Sequence, residues 1–133
     1  MRTVMCSIMI LAGASACANP VEDRVKKACE VAFVDPAGER TTYDSIGTIC
    51  KCFSKGTGPM EKGNYLKRVE LAMSQIAERR ARDGTAWPDA YVAIEHEYTL
   101  EDNQLGLEAL SDAVERLSAA QQDLKDDRCE GLF

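Results

Sequence analysis

Four cysteines, Cys29, Cys50, Cys52 and Cys129, are the residues of this chain whose type and spacing carry the most chemistry. Three uses are open to such a set. Four thiolates can hold Zn2+ tetrahedrally, and a Cys-x-Cys pair suits soft Cu(I), with Met60, Met73 or His96 as further donors. A dithiol can exchange electrons with a substrate. Or the four sulfurs can pair into two structural bridges. Spacing separates these uses. Zinc modules repeat C-x2-C, and dithiol catalysts use C-x-x-C beside a βαβ unit; Cys50-Lys51-Cys52 fits neither. The expectation is two disulfides, with no metal, no cofactor and no catalytic residue assigned.

The N-terminus supports that expectation. Met1-Arg2-Thr3, the apolar run Val4 to Ala12 and the small residues through Ala18 have the layout of a secretory signal peptide. The run is too short for a membrane span, which needs about 20 apolar residues. A signal over residues 1–18, cut near 16–18, leaves 19–133 as a single α-helical domain in an oxidising compartment, where cysteines pair. A second route stays open. Ala14-Ser15-Ala16-Cys17 resembles a lipobox, with Cys17 the lipidated first residue, although Ala14 stands where a large aliphatic residue is usual. Asn19-Pro20-Val21-Glu22 reads as a helix start rather than a flexible tether. The sequence therefore places the protein in the periplasm or cell envelope, lipid-anchored or free, or outside the cell.

Elements must position these cysteines, and nearly all of them read as helix. A first helix spans about Pro20 to Phe33, with Val21, Val25, Ala28, Cys29, Ala32 and Phe33 inward and Asp35-Pro36-Ala37-Gly38 ending it. A second begins near Asp44 or Ser45, faces Ile46, Ile49, Cys50 and Phe53 inward, and stops at Gly56-Thr57-Gly58-Pro59. That glycine-rich link lacks the Gly-Lys-Ser/Thr ending of a phosphate loop and reads as a turn. A third carries Leu66, Val69, Met73, Ile76 and Arg80 at 3-4 spacing and closes at Asp83-Gly84. A short helix follows Pro88. The last and longest starts at Thr99-Leu100-Glu101-Asp102, carries Leu107, Leu110, Val114, Leu117, Gln121 and Leu124, and runs toward Cys129. The two 3-4 seams predict antiparallel packing of the third and last helices. Gly106, Ala113 and Ala120 lie beside the second seam, and internal packing against the first or second helix is preferred over a groove for a partner helix. The fold class is all-α, a small bundle of four to five helices stapled by two disulfides.

Helix geometry then orients the sulfurs. Residues two apart on a helix point about 200° apart. Cys50 and Cys52 should thus reach different elements rather than each other. Matching distances from the connecting loop favour Cys29–Cys50, leaving Cys52–Cys129; the swapped connectivity stays open.

Other residues offer weaker chemistry. Glu95-His96-Glu97 could tune a proton carrier, but no nucleophile stands in a recognisable context, and a solvated helix end accounts for it. Arg79-Arg80-Ala81-Arg82 suits the dipole of a helix C-terminus, and with Trp87 and Tyr91 it is the candidate partner surface. Net charge is −6 in the full chain, and −7 once residues 1–18 remove one arginine and no carboxylate. Such acidity argues against nucleic acid and anionic lipid as partners. The function expected is a non-enzymatic protein-binding module of adaptor, inhibitor or immunity type, its partner another envelope protein. A structural lipoprotein anchored through Cys17 is the alternative, and a thiol-based metal or redox carrier follows.

Overall fold

Apolar spacing and helix ends account for most of the architecture. The computed structural model describes residues 20–34, 46–55, 57, 64–126 and 128–131. The signal, the lipobox at Cys17 and the start of the second helix before Ile46 lie outside the described residues. Helix α1 (Pro20–Phe33) opens on proline, whose fixed φ suits a first turn, and places Glu22 and Asp23 at the positive end of the helix dipole. It buries Val25, Cys29, Ala32 and Phe33. Helix α2 (Ile46–Ser54) is short and buries Ile49, Cys50, Cys52 and Phe53. The Thr57 hydroxyl donates to the Ser54 carbonyl at 2.7 Å, closing the expected turn at its end.

Helix α3 (Tyr65–Asp83) follows its predicted seam, burying Leu66, Val69, Ala72, Met73 and Ile76. Gly84 ends it in the left-handed region, φ 65°, with its N–H on the Arg80 carbonyl at 2.8 Å. A side chain at that φ would be strained, so glycine is the natural stop.

The next element departs from the sequence reading. Instead of a short helix, α4 runs Trp87–Leu100, and Thr99 lies inside it rather than opening the last helix. The Thr99 hydroxyl donates back to the Glu95 carbonyl at 2.8 Å, a bond that removes it as a cap for the following helix. The chain turns at Glu101–Asn103, with Asp102 at φ 54°. Asn103 caps α5 (Gln104–Asp123) by accepting the Gly106 N–H at 2.9 Å.

Helix α5 is also rotated from the expected seam. Its buried line is Gly106, Ala109, Leu110, Ala113, Arg116, Ala120 and Asp123; Leu107, Val114 and Leu117 are half-buried flanks, and Gln121 is exposed. Small residues at the centre let neighbouring backbones come close, while larger ones fill the sides. A Cβ on Gly106 would meet the Tyr98 ring at 2.6 Å. Internal packing of the small stripe was the preferred expectation; its neighbours are α3, α4 and α2. Helices α3 and α5 are antiparallel: Arg68 pairs with Asp112 at 3.1 Å, and Tyr65, one turn earlier, bonds Arg116, one turn later.

Helix α5 does not continue to Cys129. Leu124 is extended, and β1 (Leu124–Lys125) pairs antiparallel with β2 (Arg128–Cys129) through a turn where Asp126 has φ 49°. A continued helix would carry Cys129 away from α2, whereas the hairpin brings it back. The five helices and two bridges make an all-α bundle with this small hairpin appended. Phe33, Phe53, Met73, Ile76 and Leu110 are its largest fully buried apolar side chains.

Candidate functional site

Cys50 and Cys52 sit within the last two turns of α2 and diverge as helix geometry requires. Cys50 joins Cys29 of α1, Cα atoms 5.6 Å apart, and Cys52 joins Cys129 of β2, 5.3 Å apart. Cys29, Cys50 and Cys52 are fully buried; Cys129 is half-buried. The sequence-preferred pairing is the one the structure contains. Buried Asp123 lies beside the second bridge, its carboxylate within 4.8 Å of both sulfurs. With those sulfurs bonded to each other, the group offers one carboxylate and no thiolate, so its donor set is not that of a zinc or copper site.

The arginine cluster divides among three tasks. Arg80 extends one nitrogen to the carbonyls of Val31 and Ala32, at 3.2 and 2.7 Å, and another to Thr85. It thereby caps the C-terminus of α1, which has no basic residue of its own in the last turn. Arg79 pairs with Glu97 of α4 and with Asp83 at 3.8 Å. The hydrogen bond to Glu97 raises the Arg79 pKa, and burial opposes it more weakly. Arg82 alone faces water, beside Asp83.

Arg116 repeats the capping device for α2, and sequence reasoning missed it. From α5 it donates to the Phe53 carbonyl at 2.7 Å and the Lys55 carbonyl at 3.1 Å. Its guanidinium lies 5.3 Å from the Phe53 ring centre, a cation–π contact. Burial lowers its pKa, with Tyr65 opposing, yet an arginine stays protonated at neutral pH. A half-buried cation, Arg80, and a buried one, Arg116, thus stand at the carbonyl ends of the two cross-linked helices.

The aromatic candidates are partly internal. Trp87 is half-buried and meets Phe33 edge to face, centroids 5.2 Å apart. Tyr91 is half-buried; burial first, and a hydrogen bond to Glu95 second, raise its pKa. Trp87, Arg79 and Arg80 are therefore engaged within the molecule, while Arg82 is exposed and Tyr91 lies at a margin.

The side of α4 opposite Trp87 is different. At about 100° per residue, Asp89, Val92, His96, Thr99 and Leu100 fall on one outer face, away from buried Ala90 and Ile94. Val92 and Leu100 are 61% and 74% exposed, and Leu105, across the turn on α5, is 73% exposed. Large apolar side chains standing in water along one face are the feature that binding surfaces share.

Comparison with protein families, with curated proteins and with solved structures returns no match for this chain. No helix among the described residues is long and apolar enough to cross a membrane. The two disulfides indicate an oxidising, exported setting.

Proposed function

We propose that this is an exported, non-enzymatic protein-binding module of the adaptor, inhibitor or immunity kind, working in a bacterial envelope on another envelope protein. The observation that carries the reading is the exposure of Val92, Leu100 and Leu105 on a scaffold tied down by two disulfides. A cross-linked scaffold presents such side chains pre-ordered, so little conformational entropy is lost when a partner covers them. We place the surface on the outer side of α4 rather than on Trp87.

A photo-crosslinking residue placed at Val92 or Leu100, at native expression, should yield one discrete protein adduct. The same residue at Leu71 or Val31, exposed apolar positions on α3 and α1, should yield none. Adducts at all four positions alike, or at none, would refute the reading.

A further inference from the structure

The charge around this face names its partner. Between Arg82 and Arg116 the chain contains no lysine or arginine. Three of the carboxylates there take cations from α3: Asp83 from Arg79 and Arg82, Glu97 from Arg79, and Asp112 from Arg68. Asp89, Glu95, Glu101, Asp102, Glu108 and Glu115 are exposed, and none makes an ion pair among the described residues.

Asp89 shares the outer side of α4 and Glu95 flanks it, Glu101 and Asp102 follow Leu100 in the connection, and Glu108 stands one turn after Leu105. Val92 and Leu100 lie on one side of α4, two turns and about 12 Å apart along its axis. Leu105, on the first turn of α5 directly after the Glu101–Asn103 connection, is exposed as well. Helix α4 packs on α3 and α5, and Val92, His96, Thr99 and Leu100 on its outer side are exposed. A helix that lays apolar residues at i, i+4 and i+7 or i+8 has the period to follow such a face. The neighbouring carboxylates settle the sign of its flanks. They repel anionic lipid and nucleic acid and attract lysine and arginine, which steer encounter and select the partner while the apolar contacts hold it.

We infer that the α4–α5 face docks a cationic amphipathic helix of a partner protein. This rests on the protein-binding reading above and specifies its ligand. The partner helix sets its leucine-type stripe on Val92, Leu100 and Leu105 and its basic flanks on Glu95, Glu101 and Glu108.

The test uses three synthetic peptides of roughly 18 residues, about five helical turns. One is a Lys/Leu amphipathic helix, one its Glu/Leu counterpart, and one a Lys/Leu peptide of equal composition with scrambled order. Calorimetry with the disulfide-intact protein should show the first binding about tenfold or more tighter than the others, and weakening as salt rises. Leu100→Ser with Leu105→Ser, and separately Glu101→Lys with Glu108→Lys, should each weaken binding about tenfold. Leu71→Ser with Glu78→Lys, on the exposed side of α3, should leave it unchanged. Equal loss from the α3 pair, equal binding of the Glu/Leu or scrambled peptide, or no binding overturns the inference. So does a marked loss of thermal stability in the Leu100→Ser, Leu105→Ser protein, which would show the face already covered by its own chain. A discrete adduct at Val92 together with no Lys/Leu binding defeats this inference alone; no adduct at Val92 or Leu100 defeats the reading beneath it.

Discussion

The two halves of the molecule reach order by different means. Helices α1 and α2, of 14 and 9 residues, are joined by Cys29–Cys50, and α2 is joined again through Cys52–Cys129. Helices α4 and α5 carry no cysteine and depend on close packing, with Gly106 against Tyr98 and Arg79 bridging from α3. A nine-residue helix is below the length at which helices stand alone in water, so α2 relies on covalent bonds and on a borrowed cap. The longer pair holds itself and leaves one side open. The lesson is a division of labour: covalent stapling around the short α2, and an unencumbered surface on the α4–α5 side.

Removing the bridges tests this comparison most severely. Cys52→Ala with Cys129→Ala should cost about 4.5 kcal/mol and Cys29→Ala with Cys50→Ala roughly 3, because the first closes the longer loop on the chain-entropy account. Urea unfolding of each double variant measures the gap. If α4–α5 order depended on the staples, amide exchange in α4 would rise as fast as in α2; it should rise less.

Arg116 is the polar link between the halves. Arg116→Met leaves the Phe53 and Lys55 carbonyls without their donor and should cost about 3 kcal/mol, against about 2 for Arg80→Met at the more exposed α1 end. Equal losses would show the two caps to be interchangeable. On the unstapled side, Gly106→Ala places a Cβ against the Tyr98 ring and should cost about 1–2 kcal/mol despite alanine's better helix propensity. Tyr98→Leu should recover part of it, and thermal melts of the single and double variants report this.

The smallest effect is in pH. Burial raises the pKa of Tyr91 above its ordinary 10.0, so the folded state holds the phenolic proton more tightly than the unfolded chain. The associated stability is complete below the unfolded value and lost as pH rises through the folded one. Chemical unfolding across that alkaline window should show a decline that Tyr91→Phe reduces, with Tyr98, raised for the same first cause, supplying the remainder.

Much of the frame was legible in the sequence. Helices α1 and α3 were readable because their buried positions are large, regularly spaced and closed by proline or glycine. The angle between Cys50 and Cys52, a purely local property, argued against a bond between them; matching distances from the connecting loop favoured the observed pairing over the swapped one, which local geometry left open. Helix α5 was misaligned because leucines dominate a pattern search, whereas close helix contact is made by Gly106, Ala113 and Ala120. The α4–α5 break was misplaced because Thr99 and Asn103 are both capping residues, and only the back-bond to Glu95 separates them. Two-residue strands leave no period to detect, so the hairpin went unseen. Of the arginines, Arg80 was visible because it occupies a seam position; Arg116 was hidden because beside a leucine it looks like surface. The outer face of α4 escaped notice because it is defined by what neighbours do not cover.

The bridges also have an order. In chain order the four cysteines pair first with second and third with fourth. A chain that emerges N-terminus first therefore meets the partner of Cys29 early, and only Cys52 must remain reduced until the last helix and hairpin have been made. Neighbour-to-neighbour oxidation reaches the native connectivity without any bond having to be broken and remade. Such a chain can mature with an oxidase alone, and a disulfide isomerase is called on when Cys52 takes Cys29 or Cys50 before Cys129 has emerged.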